Sequence, residues 1–180
     1  MINNAPNNPK KMNSKGELVS KYKQGNYIPV NKDKVIKLNE KGGVYFRSSW
    51  EQKVCLYLDL NSNVTKWGCE FMKIPYTMEL VDQNGVLKSS SHNYFADFYY
   101  EMIRSDGTIN RVIMEVKPYN ETLEPKVPLS ATKKQLETFE YNMKMWQRNL
   151  FKWDAAINYC SNRDIKFVIL TEKDINRLKN

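Results

Sequence analysis

The stretch ADFYYEMIRSDGTINRVIMEVK, residues 96–117, carries two carboxylates and a lysine at positions where they could act together. Its second half is largely apolar and is predicted to be a strand. Alternate residues of a strand share a face, so Glu115 and Lys117 point the same way. An Asp-Gly turn at residues 106–107 predicts a hairpin that sets Asp97 on the neighbouring arm. The spacing therefore predicts two acids and a lysine close together on one sheet.

These residue types suit a hard divalent cation. Proteins bind Mg²⁺ through one or two carboxylates together with waters and substrate phosphate. Asp97, Glu115 and the backbone carbonyl of Val116 would form such an open site, with Mn²⁺ as a possible substitute for Mg²⁺. Lys117 would then lie against a bound water or a phosphate. The Glu-Val-Lys tripeptide taken alone is also typical of an ordinary solvent-facing ion pair.

A third carboxylate is expected on a helix that precedes these strands. Residues 48–60 have apolar side chains at helical spacing, and a serine can cap the start of this helix. At about 100° per residue, Glu51 falls inside the apolar arc. A carboxylate in that environment must be paired or bound to a cation. Glu51 is therefore either a catalytic ligand near the metal or half of a salt bridge. The candidate partners in such a bridge are Arg47, Lys53 and Lys117.

The strands around this constellation are predicted to form an antiparallel meander. Residues 64–80 indicate two short strands broken around Pro75, and an Asn-Gly turn leads into a strand within residues 86–101. The hairpin described above adds the strand over residues 109–117. We expect the site to form where this hairpin meets the first helix.

The second half of the chain predicts helices and one further strand. A proline-rich loop follows Lys117, and residues 131–160 favour a helix with an interruption near Asn149. Residues 165–172 are a short apolar run typical of a strand buried on both faces, and a last short helix follows. The whole order predicts an α/β fold, with a mixed central sheet flanked by helices.

The charge distribution divides the chain into two parts. The net charge is +8, and residues 1–43 contain nine lysines against three acidic residues. This segment predicts a basic, flexible N-terminal arm, and residues 44–180 predict a single domain. The arm is either a solvated tail or a contact for phosphates. An excess of positive charge indicates a nucleic-acid partner before a membrane, and no apolar stretch predicts export or a membrane span.

The order of these residues resembles the PD-(D/E)XK nuclease superfamily: Glu51 on a helix, Asp97 at a hairpin, then Glu115 and Lys117 on the next strand. A closer similarity, to the head-completion nucleases of large contractile-tailed bacteriophages, runs along nearly the whole chain. It is carried by GNYIPVNKDK, YFRSSWEQKVCLYLDLNSNVTKWGCEFMKIPY, HNYFADFYY, MEVKP and NLFKWDAAINYCSNRDIKFVILTEKDI. One departure is Ala96, which stands where the superfamily signature has a proline.

The resemblance implies a restriction-endonuclease-like fold in which the acids hold one or two Mg²⁺ ions and the lysine orients or activates the attacking water. It implies double-stranded DNA as the substrate, phage head or neck proteins as partners, and a place in the host cytoplasm during assembly or with the virion. Basic residues that flank the catalytic segments are expected to contact phosphates, although each could be a solvated surface charge. These residues are Arg47, Lys126, Lys133, Lys134 and Lys152.

Two other functions remain open from the sequence. The first is a structure-specific or transposon-end nuclease of the same superfamily. The second is a DNA-binding head morphogenesis protein without catalytic activity. No helix-turn-helix, zinc finger or other base-reading motif is evident, so low sequence specificity is expected in each case.

Overall fold

The computed structural model describes residues 23–81 and 84–178, together with the backbone of residues 10–12 and 18–20. Its strands are β1 (Lys10–Met12), β2 (Leu18–Ser20), β3 (Gly25–Tyr27), β4 (Val44–Phe46), β5 (Val64–Cys69), β6 (Lys73–Val81), β7 (Leu87–Phe95), β8 (Phe98–Ile103), β9 (Ile109–Val116) and β10 (Lys166–Leu170). Its α-helices are α1 (Ser49–Leu60), α2 (Lys133–Ser161) and α3 (Glu172–Ile175). Two 3₁₀ turns lie at Lys32–Lys34 and Tyr119–Thr122.

The central sheet has the strand order β10-β9-β8-β5. Strand β9 pairs in parallel with β10 and antiparallel with β8, and β8 pairs antiparallel with β5. The predicted α/β fold with a mixed sheet is therefore confirmed. The predicted first helix is confirmed as α1. Its predicted serine cap is Ser48, whose side chain accepts a hydrogen bond from the Glu51 N–H.

Helices cover both faces of this sheet. Met114 and Val116 of β9 pack in one core with Leu58 of α1, whereas Ile113 packs in a second core with Ala156 of α2. Strand β9 is thus buried on both faces, which explains its continuous apolar run. Glu115 and Lys117 share the face of Ile113, so they point towards α2. Glu51 of α1 nevertheless lies near Asp97, so the first helix also borders this region, and a site where the hairpin meets the first helix stays a prediction.

The meander prediction is also wrong, because β6 and β7 leave the central sheet. They pair only with each other among the described strands and form a two-stranded ribbon that packs against α2. Pro75 lies inside β6 opposite Asn93 and does not break the strand. A two-stranded ribbon tolerates proline because each of its strands has a free edge. The strand expected within residues 86–101 is divided at Ala96 and Asp97, where the chain passes from the ribbon to β8.

Two predictions for the C-terminal half need correction. Helix α2 runs without interruption through the buried Asn149. The helix continues there because this part of the sequence has no proline or glycine to break it. Strand β10 pairs only with β9 and lies partly exposed at the edge of the described sheet, so it is not buried on both faces. No helix in the described ranges combines the length and the apolar character needed to cross a membrane.

Residues 25–43 are held against the domain. Strand β3 pairs with β4, and the buried carboxylate of Asp59 near the end of α1 accepts four hydrogen bonds from this segment. The donors are the Tyr27 hydroxyl at 2.8 Å, the backbone N–H groups of Val30 and Asn31 at 2.7 and 2.9 Å, and the Asn31 side-chain amide at 3.2 Å. These contacts do not agree with the flexible arm that the sequence predicts for residues 25–43. The structure does not describe the side chains of residues 1–22, so the prediction for that part of the arm lies outside the described residues.

Candidate active site

The site begins at the gap between the ribbon and the central sheet. Asp97 is the residue at which the chain leaves β7 and enters β8, and its Oδ2 atom accepts a hydrogen bond of 2.7 Å from the Val116 N–H. The next N–H along the chain, that of Lys117, donates to the Leu170 carbonyl on the opposite side at 2.9 Å. Because the N–H and C=O of one strand residue point to the same side, the Val116 carbonyl faces the side of Asp97.

Glu115 and Lys117 lie side by side, as the strand period predicts. The Glu115 carboxylate is only 4% exposed, and its Oε1 atom lies 3.3 Å from the Lys117 ammonium. The same ammonium lies 4.0 Å from the exposed Glu121. The second oxygen of the Glu115 carboxylate, Oε2, accepts a hydrogen bond of 2.7 Å from the Tyr94 hydroxyl. Both oxygens of Glu115 therefore have a fixed partner.

Like charges converge on Asp97. Burial raises the pKa of Asp97 well above its usual value, the charges of Glu115 and Glu51 raise it further, and the Val116 N–H and Lys117 only partly oppose them. For Lys117, burial favours the neutral amine, but the carboxylates of Glu115, Asp97 and Glu121 outweigh it and raise the pKa. The site thus holds an excess of negative charge beside one ammonium ion, which favours the binding of a further cation.

Glu51 lies close enough to Asp97 to act on its charge, but both of its own oxygens have local partners. Oε1 accepts from the Ser48 hydroxyl and Oε2 from the Arg47 backbone N–H, each at 2.8 Å. None of the three salt bridges considered from the sequence is formed by Glu51 among the described residues. The Glu51 carboxylate takes part in the N-terminal cap of α1. A negative charge is also favourable at this position because of the helix dipole.

Substitution of Glu51 by glutamine separates a role at the site from a role in the cap. We expect Glu51→Gln to keep the fold and lower the free energy of unfolding by about 1–2 kcal/mol at most, because the amide oxygen still accepts one hydrogen bond. We expect cleavage of DNA to fall at least tenfold, roughly 1.4 kcal/mol, because a charge beside Asp97 is lost. Thermal melting and a nuclease assay are run together, with the exposed Glu79→Gln as control. Reduced stability with undiminished cleavage would remove Glu51 from the site.

Arg47 and Glu70 join the start of α1 to the Asp97 backbone. The Arg47 guanidinium forms an ion pair with the Glu70 carboxylate. The Glu70 N–H donates to the Asp97 carbonyl at 3.1 Å, and Glu70 has a left-handed backbone with φ of 44°. Such a backbone is uncommon for a residue other than glycine and is often found near functional sites. Arg47, expected to contact DNA, thus already has a carboxylate partner.

The other basic residues predicted to bind DNA occupy two different environments. Lys152 lies on α2 beside the site, where its ammonium is 5.6 Å from the centre of the Tyr94 ring. Burial lowers the pKa of Lys152, and the charges of Lys117 and Arg148 lower it further, whereas Glu115 and Asp97 oppose the shift. The remaining three are exposed on the loop before α2 and on its first turn: Lys126, Lys133 and Lys134. The structure therefore brings only Lys152 of these four next to the acids.

The donor set fits an open magnesium site better than a closed metal cage. In the described part of the chain, no three histidine, cysteine, aspartate or glutamate side chains are grouped so that they could hold an ion. Two carboxylates and one backbone carbonyl remain, from Asp97, Glu115 and Val116, and all are the hard oxygen donors that Mg²⁺ prefers. A site of this kind leaves positions for water and for substrate phosphate.

Sequence reasoning missed Tyr94 and Arg148. Tyr94 lies three residues before Asp97 and is the one buried residue of β7, and no periodic pattern marks it. The only available signal was that a buried tyrosine needs a partner for its hydroxyl. Arg148 was hidden because its relation to the site depends on how α2 packs: the packing brings it near Tyr76 of β6, and Lys152 follows it by four residues on the same helix.

Comparison with known families agrees with this arrangement. A family model described as "TnsA-like endonuclease N terminal" matches residues 61–172, which include Asp97, Glu115 and Lys117. The chain belongs to this TnsA-like endonuclease family, and its fold is restriction-endonuclease-like.

The chain is also similar to the head completion nuclease of Enterobacteria phage T4. The two are 30% identical over 154 residues, which cover 86% of this chain and 94% of that protein. The resemblance to phage head-completion nucleases drawn from the sequence motifs is confirmed. Both comparisons support a nuclease function for this chain.

Proposed function

We propose that this chain is a Mg²⁺-dependent deoxyribonuclease that hydrolyses phosphodiester bonds in double-stranded DNA with low sequence specificity. The observation that carries the proposal is the convergence of Asp97, Glu115 and Lys117 at the gap between the ribbon and β9. Asp97 binds the Val116 N–H at 2.7 Å, and Lys117 lies 3.3 Å from Glu115. Two acids beside an ammonium ion can hold a divalent cation and stabilise the charge that develops when a phosphodiester is hydrolysed.

Asp97, Glu115 and the Val116 carbonyl would hold the metal, with Mn²⁺ able to replace Mg²⁺. When bound, the ion neutralises charge that develops on the phosphate and lowers the pKa of a coordinated water. Lys117 would act as a cation that orients the attacking water and stabilises the transition state, because two carboxylates lie within 4.0 Å of its ammonium and favour its protonated form. Glu51 would add negative charge beside Asp97 from the other face of the sheet.

The DNA backbone would approach along α2. Lys144, Arg148 and Lys152 are four residues apart in turn, so they lie on one side of the helix, and the last of them reaches the acids. Lys144 and Arg148 are exposed, and Lys126, Lys133 and Lys134 extend the basic surface towards the start of α2. Contacts of this kind bind phosphates and carry no direct information on base sequence, which agrees with low specificity.

The biological setting is inferred from the phage relative. That protein is named a head completion nuclease, and its similarity to this chain covers most of both sequences. We infer that this chain acts on packaged DNA while the phage head is completed, before the head joins the tail. It would then contact head or neck proteins in the host cytoplasm, or remain with the virion.

Metal-dependent cleavage tests the catalytic proposal. Purified protein is incubated with linear duplexes of several unrelated sequences in Mg²⁺, Mn²⁺, Ca²⁺ or excess EDTA. We expect cleavage of all duplexes with Mg²⁺ or Mn²⁺, and none with EDTA or with Ca²⁺, which is larger and less demanding in geometry. Binding of the same duplexes without cleavage in any metal would contradict the nuclease proposal and favour a DNA-binding head protein.

A second candidate is a structure-specific or transposon-end nuclease of the same superfamily. It is kept because the matched family is described by its endonuclease activity and not by a role in a phage head. Branched and linear duplexes of equal length distinguish the two, together with the mass of the protein in solution. A stable dimer that cleaves branched DNA faster than linear DNA would favour the second candidate.

A further inference from the structure

Tyr94 connects the two sides of the candidate site. It lies in β7 near the gap, its side chain is 2% exposed, and its hydroxyl donates to Glu115 Oε2 at 2.7 Å. The ring is 5.6 Å from the Lys152 ammonium. One side chain therefore contacts a predicted metal ligand through its hydroxyl and a predicted phosphate contact through its ring. Neither contact was evident from the sequence.

The hydroxyl of Tyr94 restricts a flexible side chain. A glutamate has several rotatable bonds, and a free carboxylate can turn away from a cation that it should bind. Oε1 of Glu115 is paired with the Lys117 ammonium at 3.3 Å, whereas Oε2 accepts the hydrogen bond from the hydroxyl of a buried tyrosine ring. The hydrogen bond from the Tyr94 hydroxyl therefore limits the rotation of the Glu115 carboxylate.

The ring of Tyr94 provides a surface for a cation. Lys152 is half-buried, and the ion pairs formed by the described residues do not include it. The face of an aromatic ring attracts an ammonium ion within about 6 Å of its centre. This contact holds Lys152 over the acids and leaves its charge available to an anion.

We propose that Tyr94 is a positioning residue, whose hydroxyl fixes the Glu115 carboxylate for binding a divalent cation and whose ring holds Lys152 towards the phosphate of DNA. The inference rests on the proposed nuclease function. Residues that orient a ligand typically contribute 10–100-fold to metal affinity or activity. They do so because an ordered ligand does not lose conformational freedom when the metal binds.

Tyr94→Phe removes the hydroxyl and keeps the ring. We expect it to weaken Mn²⁺ binding about 10–100-fold in the absence of DNA, measured by calorimetry, and to shift the metal dependence of cleavage by the same factor. Cleavage at saturating metal should recover most of the wild-type rate. The control is Tyr76→Phe, because Tyr76 is buried in the same ribbon and stacks on His92 without contacting Glu115. All measurements are made well below the melting temperature of every variant.

Tyr94→Leu removes the ring as well and tests the contact with Lys152. The effects of Tyr94→Leu and Lys152→Ala on DNA cleavage at saturating metal should not add, because each removes the same contact. At subsaturating metal, where Tyr94→Phe lowers cleavage, the effects of Tyr94→Phe and Lys152→Ala should add, because they remove different contacts. If Tyr94→Leu fails to fold, the additivity of Tyr94→Phe with Lys152→Ala still tests the division of roles.

The outcomes separate this inference from the proposed function. Wild-type protein that binds Mn²⁺ and cleaves DNA, with Tyr94→Phe within twofold of it in Mn²⁺ affinity, overturns the role of Tyr94 and leaves the nuclease proposal intact. Wild-type protein that neither binds Mn²⁺ nor cleaves DNA overturns both. A tenfold loss of Mn²⁺ affinity confined to Tyr94→Phe, absent in Tyr76→Phe, supports the inference.

Discussion

Asp97→Asn should abolish metal-dependent cleavage of DNA and leave DNA binding largely intact. The substitution keeps the shape of the side chain and an oxygen that can accept from the Val116 N–H, but removes the charge of a predicted metal ligand. We expect a loss of about three orders of magnitude or more, which corresponds to about 4 kcal/mol of transition-state stabilisation. Affinity for duplex DNA should persist because most of it comes from phosphate contacts elsewhere. Cleavage rates and binding are measured on one duplex, with the exposed Asp154→Asn as control.

The same substitution should stabilise the protein when metal is absent. The pKa of Asp97 is raised in the folded protein by burial and by Glu115 and Glu51. In acid the carboxyl is protonated in both the folded and unfolded states, so it has no effect on stability. As the pH rises through the unfolded-state pKa and towards the raised folded-state pKa, the unfolded chain releases this proton more readily, and stability falls. An asparagine at this position does not titrate, so the variant does not lose stability in this way as the pH rises.

Thermal melting in EDTA from acid to neutral pH measures this effect. We expect Asp97→Asn to melt like the wild type in acid and above it at neutral pH, by about 2–4 °C for each kcal/mol. A divalent cation should raise the melting temperature of the wild type and not that of the variant. An inactive variant that melts below the wild type at neutral pH would instead indicate damage to the fold. That result would withdraw the evidence for Asp97 as a metal ligand.

Local periodicity determines the geometry of three residues predicted from the sequence, which are Glu51, Glu115 and Lys117. Glu115 and Lys117 are two apart on a strand, so they must share a face, and they lie 3.3 Å apart at their charged ends. Glu51 is correctly located on the first helix for a similar reason. The apolar pattern predicted that the Glu51 carboxylate points inward. The pattern did not reveal that the partners of this carboxylate are the Ser48 hydroxyl and the Arg47 N–H.

The residues missed depend on contacts distant in the chain. Tyr94 reaches Glu115 only because β7 leaves the sheet at Asp97, and a proline there would have marked that break in the strand. This chain has Ala96 instead, so residues 86–101 read as one strand. Arg148, the other missed residue, lies on α2, whose packing on Ile113 depends on tertiary contacts that no local pattern encodes. The acids could therefore be predicted from the sequence, whereas the groups that orient them could not.

Lys117→Ala should lower the rate of cleavage by roughly 10²–10⁴-fold, the usual contribution of a positioned acid–base group or cation. Its ammonium lies 3.3 Å from Glu115 and is half-buried, so no other group can take its position without rearrangement. Lys66→Ala is the matched control, because Lys66 is an exposed lysine of the same sheet. Activity of Lys117→Ala within threefold of the wild type would exclude Lys117 from the reaction.

Lys117→Arg distinguishes the two chemical roles of this lysine. Arginine keeps the positive charge but does not lose its proton in the accessible pH range, so it can replace a cation and cannot replace a base. The pKa of Lys117 is raised by Glu115, Asp97 and Glu121 against the effect of burial, which favours the ammonium form. We therefore expect Lys117→Arg to cleave at least about tenfold faster than Lys117→Ala, despite its different shape. Equal inactivity of the two variants, together with a wild-type rate that rises with pH as an amine loses its proton, would show that Lys117 acts as a base.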